Sequence, residues 1–466
     1  MIEKFQNWFH ENSITEVECL VPDLGGIARG KILPTNKFLK GLEDESHRLP
    51  QSTFIQTISG DYATEDSAGA LPRSVYNPTD IDVILKPDFD TMRVVPWYDD
   101  PTAQIICDAI NLNGDDVINS SRNALKNILK LYKKDKLTPI VSPELEFYLV
   151  KPNADSDYPL EVPVGQSGRQ ETGKQALGID AVNEFDHLFE DVYNYCEAQN
   201  IEIDTINHES GSAQMEINFQ HGDPLDLADQ VFLFKRTLRQ SALKHKLHAT
   251  FMAKPMENQP GSAMHIHQSI YNEKNKNIFF NQSTKISKKM KNYLGGLEKY
   301  TPLLMPIYAP NINSFRRLFA TWGAPKNVKW GIGNRSCGFR IPSIEERNIR
   351  IENRIPGSDT NPYLVFAANL ASGYLGMKNN LKPNPETKDS AFKDKNSNLP
   401  KNMDESLTLF ENDEDIKSIF NEKFVRSIAA IRRVEYQAYL SVISSWEREY
   451  LLPVSYTHLR AHETIQ

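Results

Sequence analysis

Ser142-Pro143-Glu144-Leu145-Glu146-Phe147-Tyr148-Leu149 reads as a β-strand, with acids alternating with apolar side chains and aromatics following. Side chains two positions apart on a strand share a face. Glu144 and Glu146 therefore point one way, and Leu145 and Phe147 point into the opposite layer. Two like charges on one face repel, and a hard divalent cation between them is the economical remedy. Taken alone, the segment fits an ordinary solvated strand face better. Its meaning depends on what the rest of the chain brings to it.

Three other stretches carry chemistry of the same kind. His208-Glu209-Ser210-Gly211-Ser212-Ala213-Gln214-Met215-Glu216-Ile217-Asn218 places two acids about a Gly/Ser turn. The chain doubles back there, and Glu209 and Glu216 can face each other, although a plain turn with flanking acids looks the same. Pro260-Gly261-Ser262-Ala263-Met264-His265-Ile266-His267-Gln268-Ser269 sets two imidazoles on one strand face. A lone His is more often a satisfied core residue, but two at this spacing favour metal or phosphate chemistry. Arg350-Ile351-Glu352-Asn353-Arg354 puts two guanidiniums and an acid on one face. A surface ion-pair ladder is the plain reading and is worth little. The sharper reading is a grip on oxyanions beside a metal-holding acid. Arg316-Arg317 and Asn334-Arg335-Ser336-Cys337-Gly338-Phe339-Arg340 add further cations.

The whole chain has 466 residues, with 53 Lys+Arg against 61 Asp+Glu and a formal charge of −8. That balance argues against nucleic acid as a partner. An acidic chain that nevertheless gathers arginines near two histidines points to a strongly anionic ligand. No apolar run reaches the ~18 residues of a membrane span, so no membrane partner is expected. The first residues show no apolar h-region, so no signal peptide is expected. Cys19, Cys107, Cys196 and Cys337 form no CxxC pair, which fits a reducing cytoplasm. Neither a Walker A sequence nor G-x-G-x-x-G occurs, so a bound nucleotide is not held by a P-loop.

Short β-type runs at Val17-Glu18-Cys19-Leu20-Val21, Asp82-Val83-Ile84-Leu85 and residues 103–108 precede the turn Asn111-Leu112-Asn113-Gly114-Asp115, a candidate domain boundary. Beyond it, Asn119 or Ser120 can cap a helix to about 136 and Asp180 one to about 197. Asp223-Pro224 opens a helix to about 247, and Asn361-Pro362 opens one over 363–377. A long amphipathic helical stretch covers about 414–450, and the polar segments 152–176 and 379–403 read as surface loops or flaps. The fold class is mixed α+β.

These blocks, in this order over roughly residues 15–452, resemble the glutamine synthetase family. Arg350-Ile351-Glu352-Asn353-Arg354-Ile355-Pro356-Gly357 with Asn361-Pro362-Tyr363-Leu364 carries the resemblance most strongly, and Asp23-Leu24-Gly25-Gly26-Ile27-Ala28-Arg29-Gly30-Lys31 resembles the family's β-grasp domain. The resemblance implies a small β-grasp domain over 1–112. A large catalytic domain over 113–452 follows, with a curved antiparallel sheet flanked by helices. It implies an ATP-dependent ligase in which the glutamate γ-carboxylate is phosphorylated and an amine then displaces phosphate. Glu146, Glu209 and Glu216 resemble the ligands of a first Mg²⁺ or Mn²⁺, and Glu144, His265 and Glu352 those of a second, with two or three ions per site. His267, Ser269 and Arg350 resemble ATP contacts. The resemblance implies catalytic roles for Arg335, Arg340 and Glu216, and glutamate binding by Gly261, Arg317 and Arg354. The family further implies a homo-oligomer of hexameric rings, a dodecamer.

The chain departs from ammonia-using members at two places. Their ammonium-binding Glu in an aromatic-Glu-Ala-Pro segment is matched by Trp322-Gly323-Ala324-Pro325. Their Asp-Gly-Ser-Ser segment is missing from Thr53-Phe54-Ile55-Gln56-Thr57-Ile58-Ser59-Gly60-Asp61, where only Asp61 offers a partial substitute. Losing both acids removes the charge that attracts and deprotonates ammonium. The resemblance is therefore nearest to the γ-glutamylpolyamine synthetase branch. The alternatives are an ammonia-using glutamine synthetase, a non-catalytic relative and, less well supported, a metallohydrolase using His265 and His267. The stretch 453–466 resembles no family ending and is set aside as a non-native tail, so His458 and His462 receive no metal role.

Overall fold

The computed structural model describes residues 2–63, 71, 75–319, 323–394 and 398–455. The N-terminal part is built on a six-stranded sheet ordered Ala28–Pro34, Glu16–Pro22, Thr102–Asn111, Asp82–Pro87, Arg48–Pro50, with Arg93–Val94 also paired to Thr102–Asn111. Glu16–Pro22 runs antiparallel to Ala28–Pro34 and parallel to Thr102–Asn111. Alternation divides its two faces. Val17, Cys19 and Val21 pack with Phe5, Phe9 and Phe38 of helices Ile2–Glu11 and Thr35–Asp44. Leu20 and Ile106 join the much larger core that fills the rest of the chain. Period-two side-chain direction thus gives one sheet two cores. All four cysteines are free and buried.

The second sheet has eight strands, in the order Trp330–Ile332, Phe339–Ile341, Ile351–Asn353, Met264–Asn272, Leu137–Val150, Gln214–Phe219, Ile203–His208, with His248–Thr250 also paired to Leu137–Val150. Its pairs are antiparallel except Trp330–Ile332 with Phe339–Ile341, which is parallel and departs from the wholly antiparallel expectation. Leu145 and Phe147 are fully buried on the face away from the acids, as the alternation requires. Helices Pro224–Lys244 and Pro362–Lys378 pack behind the sheet, and most of their residues are buried.

The caps read from the sequence are in place. Asp223 accepts from the backbone N–H of Leu225 and Asp226, Asn361 from Tyr363 and Leu364, and Ser120 from Asn123. Asn361 Nδ2 also donates to the Asp23 carbonyl at 2.9 Å, joining this helix to the N-terminal sheet. Two helix expectations are corrected. The helix expected from Asp180 is split into Ile179–Asn183 and Asp186–Ala198 and has no side-chain cap. The break falls at Phe185, which leaves helical geometry at φ −123 and ψ 25, while Glu184 keeps helical backbone and its side chain accepts the Ser167 N–H. The stretch 414–450 is three helices, Glu414–Phe420, Glu422–Leu440 and Ser445–Ser455. Asn421 takes φ +75 and caps the second by accepting the Lys423 N–H, which ends the first. Among the described residues no helix is long and apolar enough to cross a membrane. Trp322 and residues 456–466, including His458 and His462, lie outside the described residues.

Candidate active site

Strand register assembles the acids and imidazoles. His265 lies opposite Glu144, His267 opposite Glu352, Glu146 opposite Glu216 and Arg340 opposite Glu352. Directly opposed side chains share one face of a sheet. Groups up to 208 positions apart in the chain, Glu144 to Glu352, therefore meet on one patch.

The distances are short. His267 Nε2 lies 2.8 Å from Glu144 Oε1, and His265 Nδ1 3.2 Å from Glu144 Oε2. His265 reaches Glu146 and Glu352 at 4.0 Å. Arg350 Nε–H donates to His267 Nδ1 at 3.0 Å, which leaves the His267 Nε2–H to donate to Glu144. Glu352 is paired by Arg340 at 2.9 Å and by Arg354. Glu146 Oε2 accepts the Ala263 N–H at 2.7 Å and Gln214 Nε2 at 3.3 Å.

The electrostatics divide the acids into two kinds. Burial, reinforced by Glu209, pushes Glu146 up to about 8. Burial, then the Glu146, Glu144 and Glu209 carboxylates, push Glu216 up to about 9. Burial raises Glu209 as well. Glu144 is different: burial opposes its charge, but hydrogen bonds from His265 and His267 hold it well below the usual carboxylate range. Burial also opposes Glu352, where Arg354 and His265 win and lower it. Burial, and then Arg354, lower His265 and favour the neutral ring that can ligate a metal.

Glu146, Glu209 and Glu216 offer ligand atoms within 4.8 Å of one another, which matches the first expected metal set. The second expected set is divided: Glu144 and His265 group with Glu216, while Glu144 and Glu352 group with His267. Carboxylate oxygens with a single imidazole suit a hard divalent cation such as Mg²⁺ or Mn²⁺. Burial and mutual repulsion both favour the protonated carboxyls here, and a cation among the three oxygens would favour the charged forms instead.

A cleft of about 490 Å³ opens beside this patch, lined among others by Glu146, Glu209, Gly261, Arg317, Gly323 and Arg354. Arg317 is 3% exposed and donates to the carbonyls of Ile355 and Arg354. The Nε atoms of Arg340 and Arg354 are buried and make no hydrogen bond, a state that an anionic ligand would relieve. Ser269 is buried on Met264–Asn272. Arg335 is not drawn in: it is exposed on the turn before Phe339–Ile341. Asp61 is also exposed and accepts from Ser59 Oγ at 2.9 Å.

Gln214 was not singled out from the sequence. It binds Glu146 and donates to the Gly261 carbonyl at 3.1 Å, so it couples the metal-type trio to the cleft. Its signal was present, because it stands two residues from Glu216 on the same strand face. The Ala263 N–H that anchors Glu146 carries no side-chain signal.

Residues 119–451 match the glutamine synthetase catalytic domain. The chain belongs to the glutamine synthetase family. It is an ATP-dependent carbon–nitrogen ligase of that family. Among its relatives, γ-glutamylputrescine synthetase PuuA of Escherichia coli (strain K12) is 31% identical over 444 residues, 94% of this chain and 91% of that protein. Glutamate–isopropylamine ligase of Pseudomonas sp is 29% identical over 455 residues, covering 96% of each. Glutamine synthetase of Halobacterium salinarum (strain ATCC 700922 / JCM 11081 / NRC-1) is 29% identical over 381 residues, 79% of this chain and 82% of that protein. The solved structure of apo GmaS without ligand superposes with a TM-score of 0.80 at 25% identity, covering 95% of this chain and 98% of the other.

Proposed function

We propose that this enzyme joins the γ-carboxylate of glutamate to putrescine or another polyamine, through γ-glutamyl phosphate. The observation that carries the choice of acceptor is Gly323. It lines the cleft with Arg317 and Arg354, at the position where ammonia-using relatives are expected to present an acid. Its φ is +110, and a Cβ built there meets nothing within 4 Å. At Gly323 the wall is open, carries no acid and is conformationally unsuited to a Glu, so a carbon chain attached to the attacking amine has room. The relatedness to a putrescine ligase and an isopropylamine ligase supports the same reading.

In this reading Glu146, Glu209 and Glu216 hold one divalent ion, and Glu144, His265 and Glu352 a second. Bound there, Mg²⁺ or Mn²⁺ would supply neutralisation of phosphate and carboxylate charge. Arg350, His267 and Ser269 hold ATP. Arg340 and Arg335 offset charge on the transferring phosphoryl group, for which positioning and electrostatics do most of the work. Arg317, Arg354 and the Gly261 backbone receive glutamate. Residues 1–112 act as a β-grasp domain and 113–452 as the catalytic domain. A homo-oligomer of hexameric rings is part of this reading, and exposed apolar side chains at Leu440, Val442, Ile443, Trp446 and Leu452 leave surface for contacts between copies. The free cysteines fit the cytoplasm.

The test is phosphate release by purified enzyme with ATP, glutamate and Mg²⁺ or Mn²⁺, comparing ammonium with a panel of mono-, di- and polyamines. Putrescine or a longer polyamine is expected to give the highest kcat/KM. Ammonium outperforming every amine at millimolar concentration would refute the reading.

A further inference from the structure

The segment 152–176 contains neither helix nor strand, yet one of its side chains reaches into the wall of the site. Glu171 Oε2 lies 3.0 Å from His208 Nε2 and accepts the Ala213 N–H at 2.7 Å. His208 ends one strand of the hairpin and is fully buried, and its Nδ1–H donates to the Glu209 carbonyl at 2.6 Å. Ala213 opens the return and holds φ +54, a left-handed conformation that a non-glycine residue keeps only when its surroundings impose it. A single carboxylate oxygen therefore ties together both sides of the turn that presents Glu209, immediately ahead of the strand that carries Glu216. The Leu177 N–H donates to the His208 carbonyl at 2.9 Å and makes a second stitch. Lys174, between these two attachments, lines the catalytic cleft.

We infer that Glu171 is a positioning residue: a latch that fastens the 152–176 segment to the Glu209–Glu216 hairpin and so sets both the spacing of those carboxylates and the closure of one cleft wall. Groups that orient a metal's ligands typically shift its affinity by about 10–100-fold when removed. Glu171 touches neither the trio of oxygens nor the cleft floor, so its effect passes through backbone and through His208. The inference rests on the proposed function for its Mn²⁺-affinity and kinetic readouts, and the cleavage readout stands without it.

The experiment compares Glu171→Ala and Glu171→Gln in the full chain. Mn²⁺ binding is measured directly by titration without acceptor amine, and the rate of tryptic cleavage after Arg169 and Lys174 is measured in chelator-treated protein. Glu171→Ala is expected to weaken Mn²⁺ binding about tenfold or more. It should also speed cleavage at those two sites about tenfold and raise KM for glutamate more than it lowers kcat. Glu171→Gln is expected to recover the cleavage and Mn²⁺ readouts only in part, because its amide oxygen can take the Oε2 place and accept the Ala213 N–H, while its NH2 falls at the buried Oε1 place that has no partner and the carboxylate charge facing His208 is lost. Mn²⁺ affinity and cleavage rate both within threefold of the parent in Glu171→Ala would overturn the inference. Should that variant not fold, Glu171→Asp, one methylene short of both partners, carries the same two readouts and the same thresholds. Glu216→Gln is the control for the metal reading. If it leaves Mn²⁺ binding unchanged, the metal assignment fails rather than the latch, and the cleavage rates alone decide the latch.

Discussion

Neutralising Glu216 should stabilise the metal-free enzyme while crippling it. The oxygens of Glu146, Glu209 and Glu216 lie within 4.8 Å of one another. At an effective dielectric of about 20, each ionised pair at that separation costs roughly 3 kcal/mol. The folded protein avoids the cost by keeping protons, and burial with three neighbouring carboxylates pushes Glu216 up to about 9 from 4.5. A carboxyl whose folded pKa is raised contributes stability that is fully present below about pH 4.5 and is lost as pH rises toward about 9. At pH 7 the 2.5 units above the unfolded value correspond to about 3 kcal/mol of lost stability. Glu216→Gln needs no proton, so the chelator-treated variant should be more stable than the parent by up to about 3 kcal/mol at pH 7, with the advantage disappearing near pH 4.5. With Mn²⁺ the order should reverse, because the parent gains binding energy that the variant cannot. Denaturant unfolding with and without Mn²⁺, across pH 4.5 to 9, measures both halves. A metal-free Glu216→Gln that is less stable than the parent, or one that Mn²⁺ stabilises equally, would refute the reasoning.

A Cβ at Gly261 would stand 2.5 Å from Arg317 Cγ and 2.7 Å from the Ala253 carbonyl oxygen. Gly261→Ala should therefore displace Arg317 and raise the glutamate KM about tenfold, roughly 1.4 kcal/mol, as steady-state kinetics would show. Gly323→Glu should not create an ammonia-using enzyme, because φ +110 costs a side chain about 1–3 kcal/mol there; its kcat/KM for ammonium should stay below the parent's for putrescine. Lys235 is buried between the carbonyls of Ser358 and Thr360, and burial depresses it to about 7. Its folded value lies below the unfolded 10.5, so the unfolded chain binds the extra proton between those values and stability rises with pH across that window. Lys235→Met should flatten that slope in denaturant titrations at pH 7 to 10, and an unchanged slope would exclude Lys235 as its source.

The local rules of alternation and capping carried a large part of this protein. Glu144 and Glu146 share a face because strands have a period of two, and Asp223-Pro224 and Asn361-Pro362 open helices because their side chains satisfy the first free N–H groups. Local rules failed elsewhere. The helix expected from Asp180 breaks at Phe185, whose backbone leaves helical geometry. Arg335 matched a family block, yet it lies exposed on its turn. All six metal-type residues were legible as residue types, and so was the Glu146, Glu209 and Glu216 trio; the grouping of the others was not, since Glu144 and His265 fall with Glu216 while Glu144 and Glu352 fall with His267.

From the chain alone came the donor chemistry, the strand faces and the helix starts, because each depends on residues a few positions apart. Which acids share a cation, which arginines keep unsatisfied N–H groups, and how Glu171 reaches Ala213 depend on strand register and loop return across tens to hundreds of residues. Only the folded chain decides those, because they are set by packing and hydrogen-bond completion over the whole sheet rather than by any local preference.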